Sequence, residues 1–180
     1  IVIAFMPAAF LGVLFASKIK EFLFYPVPVA IALIVGGFII MWVETRNRRS
    51  PKTARLNSVD EMSRLDALKL GFAQAFALIP GMSRSGSTII GALLVGLSRK
   101  ASAEFSFLLA LPVLAAASGL DLLKNYKEFA GDNLITLIVG FVVSFIVAYL
   151  TMKLLIRFLE KFTFVGFGIY RIIFGIILLY

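Results

Sequence analysis

Within nine residues, Pro80-Gly81-Met82-Ser83-Arg84-Ser85-Gly86-Ser87-Thr88, the chain places four hydroxyl side chains around one arginine. Arg84 carries a permanent charge on a planar fork that matches two phosphate oxygens. Ser83, Ser85, Ser87 and Thr88 supply hydroxyl donors. The amides of Gly86, Ser87 and Thr88 fall at or near the start of the next apolar segment, where free N–H groups and the helix dipole favour an anion. Pro80 ends the preceding helix, and Gly81 and Gly86 admit backbone geometries closed to other residues. Together these parts specify an oxyanion site of phosphate size.

Two simpler accounts of the same stretch can be weighed. From Gly81 to Thr88 it comes close to the GxxxxGK[ST] phosphate loop, but Ser87 stands where the lysine belongs and no βαβ unit surrounds it, so an ATPase is excluded. A Ser/Gly-rich turn with Arg84 reaching up to lipid headgroups is the plainer account. A cation between two short apolar helices is costly and usually functional, and the site reading is therefore retained.

The composition limits the chemistry further. The 180 residues contain no cysteine and no histidine. Disulfides, thiolate chemistry and cysteine-held metals are excluded, and the commonest general base is missing. Any hydrolysis must use Ser, Thr, Arg, carboxylates, water or an oxygen-bound metal. Hydrophobic residues make up 61% of the chain and charged residues 16%, with a mean hydropathy of +0.99. A soluble domain could not cover so much apolar surface, whereas a bilayer requires it. The net charge of +8 does not point to nucleic acid, because the basic residues cluster between apolar segments rather than on one face.

The elements that must hold the polar break follow from the apolar runs. Spans are expected at about 1–16 (kinked at Pro7), 29–43, 101–123, 134–155 and 162–180. A link after Ser17 carries Phe22, Phe24 and Tyr25 as interfacial anchors, and Trp42 marks another interface. A hydrophilic loop at about 44–64 carries Arg46, Arg48, Arg49, Lys52 and Arg55 and reads as cytoplasmic. Residues 65–79 and 88–97 are helical in pattern, yet each falls short of the roughly 20 residues that cross the hydrocarbon. Two short helices around a polar break, at 65–97, predict a re-entrant hairpin. Charge agrees: Arg99 and Lys100 then share the side of the Arg46 loop, Lys124, Lys127, Glu128 and Asp132 cancel on the other side, and Lys153, Arg157, Glu160 and Lys161 are net basic on the first side again. The expected fold is an all-α polytopic membrane protein, a helical bundle forming a single membrane domain. The opening on Ile1, inside an apolar run, reads as a chain that lacks upstream residues.

Ala77-Leu78-Ile79-Pro80-Gly81-Met82-Ser83-Arg84-Ser85-Gly86-Ser87-Thr88 resembles the PGxSRSGxT signature of the bacterial undecaprenyl-diphosphate phosphatase (bacitracin-resistance) family. Gly96-Leu97-Ser98-Arg99-Lys100-Ala101-Ser102-Ala103-Glu104-Phe105-Ser106, running on to Pro112, is similar to that family's second recurrent block, and Tyr170-Arg171 fits its last helix. The resemblance covers essentially the whole chain. It implies hydrolysis of a C55 isoprenyl diphosphate to the monophosphate in the bacterial cytoplasmic membrane, recycling the lipid carrier of cell-wall synthesis. It also implies two oppositely entering hairpins from an inverted repeat. Arg84 and Ser83 would be catalytic, with Ser83, Arg84, Ser85, Gly86, Ser87 and Thr88 binding phosphate. A divalent metal (Mg or Ca) would be held mainly by an upstream hairpin of glutamates, serines and a histidine that this sequence does not include, so the chain alone would lack half its active site. The implied partners are the isoprenyl diphosphate lipid and membrane lipids, with a second copy of the chain as a candidate. A transporter or flippase using the same anion-binding hairpin is the rival reading, since discontinuous helices also serve transport.

Other residues carry weaker signals. Glu104 could join the site or favour the start of its helix beside Arg99 and Lys100. Gln74 could donate to a ligand or bond between helices, and Asp66 shares its helix. Asp121 is interfacial. Arg171, inside the last span, needs a buried partner or a route to the interface. Gly36-Gly37, Gly91 and Gly96 are expected to let helices approach closely.

Overall fold

The computed structural model describes residues 1–49, 54–125 and 133–180. Lys52, Lys127, Glu128 and Asp132, which entered the charge comparison, lie outside them. Among the described residues seven α-helices follow one another: α1 (Val2–Leu23), α2 (Pro26–Arg49), α3 (Arg64–Ala75), α4 (Arg84–Val95), α5 (Arg99–Lys124), α6 (Asn133–Lys161) and α7 (Val165–Leu179). Among the described residues there is no strand; a single parallel bridge joins Leu56 to Leu97.

Helices α2, α5 and α6 contain stretches long and apolar enough to cross a membrane. The chain is therefore a multi-pass helical membrane protein. Helix α1 runs past the expected end at residue 16, and its sharp bend of 73° falls between Phe15 and Ser17 rather than at Pro7. That is where the apolar run gives way to Ser17-Lys18. Helix α7, with 15 residues, is about 22 Å long at 1.5 Å per residue, shorter than the expected 162–180 span. On α6 every side chain from Ile135 to Leu150 is exposed, an apolar surface that only lipid or protein can cover.

Helices α3 and α4, 12 residues each, form a hairpin about 18 Å deep. Its open end is tied shut from outside. Arg55 Nη2 donates both to Asp66 Oδ1 at the start of α3 (2.7 Å) and to the Val95 carbonyl at the end of α4 (3.3 Å). One side chain thus holds the outer ends of the two arms together. Ser63 caps α3: its hydroxyl accepts from the Asp66 amide while the Asp66 carboxylate accepts from the Ser63 amide, the reciprocal capping box.

Small residues set the helix packing. A Cβ on Gly37 would stand 2.7 Å from the Gly168 carbonyl, and one on Gly175 would stand 2.9 Å from that of Ala30. Helices α2 and α7 therefore meet backbone to backbone along their length. Inside the hairpin, Gly91 leaves room for the Ala73 methyl. Gly96 differs from expectation: at φ 105° it terminates α4 in the left-handed conformation, a capping role. The core of α1, α3, α4 and α5 is built around Leu70, Ala92, Phe105 and Leu109.

One buried carboxylate joins three helix ends. Glu44 near the end of α2 is fully buried. It accepts Arg99 Nη1 at 2.6 Å and Nη2 at 2.7 Å from the first turn of α5, and the Phe164 amide at 3.1 Å from the start of α7. The expected hydrophilic loop therefore does not begin at Glu44, because α2 runs on to Arg49.

Candidate functional site

The break between the hairpin arms is shorter than its composition suggests. After α3 a 3-10 turn, Phe76–Leu78, leads to a tight turn closed by the Met82 amide on the Ile79 carbonyl at 3.0 Å. Pro80 and Gly81 occupy its middle, and Gly81 has φ 92°, which a turn with Pro then Gly at those places requires. A side chain there would also stand 2.4 Å from the Val29 carbonyl, so glycine is demanded twice. Helix α4 then starts at Arg84, four residues before the expected start at Thr88. Ser83 is its cap, and the Ser83 hydroxyl accepts from the Gly86 amide at 3.0 Å. The Ser87 amide bonds the Ser83 carbonyl at 2.8 Å. The first-turn amides of Gly86 and Ser87 are thus used inside the protein. Those without an acceptor one turn back are Arg84 and Ser85, at the true start of the helix.

The hydroxyls expected in one cradle divide between two faces of α4. Ser83 and Ser85 stay together at the tip, with Oγ atoms 3.3 Å apart, and Ser85 is exposed. The Thr88 hydroxyl is directed into the bundle. It lies 3.0 Å from the Arg84 carbonyl, 3.1 Å from that of Ser85 and 2.6 Å from Ser106 Oγ on α5. Thr88 is 1% exposed and supports the first turn from behind. Ser87 and Gly86, with Ser83, face a cavity of about 200 Å³ between α2, α4 and α7.

Arg84 opens α4 at the tip of the hairpin. Its Nη1 is buried with no hydrogen-bond partner, and it belongs to neither ion pair among the described residues. A buried, unpaired guanidinium nitrogen is an expensive arrangement, and an anion is its natural complement.

Arg171 supplies the contact that sequence spacing could not place. From α7, at 3% exposure, its Nη2 donates to the Gly81 carbonyl at 2.7 Å and to the Ala32 carbonyl at 3.3 Å. Gly36 makes this possible, since a Cβ there would stand 2.5 Å from Nη2. Arg171 therefore fixes the turn that precedes the cap. Ser106 was likewise passed over. Its spacing of four from Ser102, on an apolar helix, was the signal for a buried polar face.

Of the secondary candidates, Gln74 is buried with an unpartnered Oε1. Glu104 lies half-buried in the second turn of α5. Among the described residues no group of three or more His, Cys, Asp or Glu is placed to hold a metal ion. The fully buried carboxylate of Glu44 accepts from Arg99 and the Phe164 amide. These residues do not form the ligand set of a divalent ion.

Comparison with known proteins places the sequence among relatives. The sequence model of the bacitracin resistance protein BacA family matches residues 1–177. An undecaprenyl-diphosphatase of Janthinobacterium sp. (strain Marseille) is 52% identical over 179 residues, covering 99% of this chain and 65% of that protein. One of Sulfurimonas denitrificans is 58% identical over 177 residues, covering 98% and 68%, and one of Neisseria meningitidis is 46% identical over 174 residues, covering 97% and 63%. The chain thus spans about 65% of the length of the first of these relatives. With a match over nearly its full length, an arginine-bearing turn at the tip of a short hairpin, and a helical membrane bundle to hold it, the chain belongs to the bacitracin resistance protein BacA family.

Proposed function

We propose that the protein hydrolyses undecaprenyl diphosphate to undecaprenyl phosphate and orthophosphate in the bacterial cytoplasmic membrane, and that this chain provides the anion-holding part of the site. The observation that carries the reading is the buried, unpartnered Nη1 of Arg84 in the first turn of α4, where the Arg84 and Ser85 amides have no acceptor one turn back. A diphosphate presents the charge and the oxygens these groups lack. The names of the relatives, all undecaprenyl-diphosphatases, support the substrate class.

Over the whole reaction one water is consumed: its oxygen ends on the terminal phosphorus, its protons go to the products and solvent, and the bridging P–O bond breaks, leaving the second phosphate on the lipid. Negative charge builds on the terminal phosphoryl oxygens and on the departing bridge oxygen. Arg84 and the Arg84 and Ser85 amides bind and orient the terminal group, and are fixed before the charge develops. Donors held in place in a water-poor site stabilise such charge far more than donors in water. Ser83 holds the helix start by accepting from Gly86, and its neighbour Ser85 offers a further hydroxyl to the ligand. Arg171 keeps the turn from relaxing by gripping Gly81.

Purified full-length protein in detergent micelles should release orthophosphate from undecaprenyl diphosphate in step with loss of the diphosphate. Movement of the lipid between leaflets with no phosphate released would instead identify a transporter.

A further inference from the structure

Behind the first turn of α4, two buried hydroxyls lead to the peptide units that face the anion. Thr88 Oγ1 lies 3.0 Å from the Arg84 carbonyl, 3.1 Å from the Ser85 carbonyl and 2.6 Å from Ser106 Oγ. Carbonyl oxygens only accept, and a hydroxyl has a single proton to give. The Thr88 proton is therefore shared by the two carbonyls, and the proton between the hydroxyls is that of Ser106. Both side chains are buried, so water does not compete for these bonds.

Each of the two carbonyls belongs to a peptide unit whose N–H lies on the next residue. The Arg84 carbonyl is joined to the Ser85 amide, which has no acceptor one turn back and faces the terminal phosphate in the proposed function. The Ser85 carbonyl is joined to the Gly86 amide, which donates to Ser83 Oγ at 3.0 Å. A peptide unit that accepts at its oxygen is a stronger donor at its nitrogen, and bonds in such a chain strengthen one another by about 10–30% each. The unit is also planar and turns as one body, so a carbonyl held from behind aims the N–H in front.

We propose that Ser106 is a positioning residue for the anion site: it acts through Thr88 to hold and polarise the Ser85 amide, and itself touches no substrate. This rests on the diphosphatase reading and extends the site from the hairpin to α5. Ser102 supplies the contrast. It lies one turn earlier on α5 and is fully buried, but its hydroxyl has no hydrogen-bond partner, so it stands outside the relay.

The test compares full-length wild-type, Ser106→Ala, Ser106→Cys and Ser102→Ala proteins in micelles. Ser106→Ala leaves Thr88 bonded to both carbonyls, so the variant should fold. Arginine labelled with carbon-13 at its carbonyl and serine labelled with nitrogen-15 select the peptide units that join them. Within this chain these are Arg49–Ser50 and Arg84–Ser85, and the first is the internal reference. The Arg84–Ser85 signal, assigned by its loss in Arg84→Lys, should move in Ser106→Ala toward the position of a weaker hydrogen bond. It should do so both in the free protein and with a prenyl methylenediphosphonate, which resists hydrolysis. The kcat of Ser106→Ala for orthophosphate release should fall about three- to tenfold, part of the ~10²-fold lost when such a donor is deleted outright. KM should change little, because the charge that the amide meets grows in the transition state. Ser106→Cys, a weak donor of similar shape, should fall between, and Ser102→Ala should match wild type. An unmoved Arg84–Ser85 signal or an unchanged kcat in folded Ser106→Ala, or an equal loss in Ser102→Ala, would overturn the proposal. If wild-type protein bound the phosphonate with a shift of the Ser85 amide, yet released no orthophosphate from undecaprenyl diphosphate, the phosphatase reading would fall and the relay would stand.

Discussion

Loss of the charge on Glu44 should be among the most damaging single-atom changes in the bundle. Its carboxylate is fully buried and accepts two short bonds from Arg99 and one from the Phe164 amide, so it holds the ends of α2, α5 and α7 together. Breaking a buried ion pair by removing one partner costs about 3–5 kcal/mol. The Arg99 side chain keeps 28% exposure and can turn partly to water, which places Glu44→Gln near the lower end, at about 3 kcal/mol. Glu44→Ala also strands the Phe164 amide, worth about 1–3 kcal/mol more. Arg99→Met alone leaves the carboxylate buried and unpaired and should be about as harmful as Glu44→Gln. The Glu44→Leu/Arg99→Met double variant removes both charges and should recover about 2 kcal/mol or more relative to the sum of the single variants. Unfolding of the full-length variants in one detergent, at fixed protein and detergent concentrations, measures all of these. A Glu44→Gln protein within about 0.5 kcal/mol of wild type, or single-variant losses that simply add, would refute the clamp.

Three further outcomes follow from local contacts. The Ser63 hydroxyl, and after it Arg55 and the Ser63 amide, hold the Asp66 carboxyl below its ordinary range against the opposing effect of burial. Because the folded value is depressed, this stability is present above the unfolded value of about 3.9 and is lost as pH falls through the lower folded value; Asp66→Asn should cost about 1 kcal/mol at neutral pH and flatten the acid limb of a stability-against-pH curve. Thr88→Val keeps shape but leaves Ser106 without its 2.6 Å partner, for a loss of about 1–2 kcal/mol in the same unfolding assay. Arg171→Met should lower kcat/KM by about tenfold or more by freeing the Gly81 carbonyl and removing a cation from the site, and Arg171→Lys, which retains a donor, should restore part of it.

The parts of this protein that were legible in sequence are those fixed by short-range pattern. The hairpin showed in two apolar runs too short to cross a membrane, and the candidate site was named from an arginine and hydroxyls between them. The start of α4 was misjudged because Gly86 has poor helix propensity and was counted with the break; in the fold, Ser83 caps the helix and Gly86 serves its first turn by donating to that cap. Thr88 was expected in the phosphate cradle with its neighbours, whereas its hydroxyl turns into the bundle toward Ser106, 18 residues away. The Arg99–Glu44 pair spans 55 residues and the Arg171–Gly81 bond 90. Such contacts are set by helix packing, and no local pattern announces them. Arg171 could be flagged only as a charge in need of a partner, and the partner proved to be the backbone of the turn itself.

The central claim is that Arg84 binds the terminal phosphate and stabilises the charge it acquires. The direct measurement is orthophosphate release from undecaprenyl diphosphate by full-length wild-type, Arg84→Ala and Arg84→Lys proteins, each shown to be folded by its unfolding curve. The account predicts that Arg84→Ala loses at least about 10²-fold in kcat, and that Arg84→Lys recovers only a part because a point charge cannot reproduce the two-toothed contact. Wild-type turnover by a folded Arg84→Ala protein would contradict it.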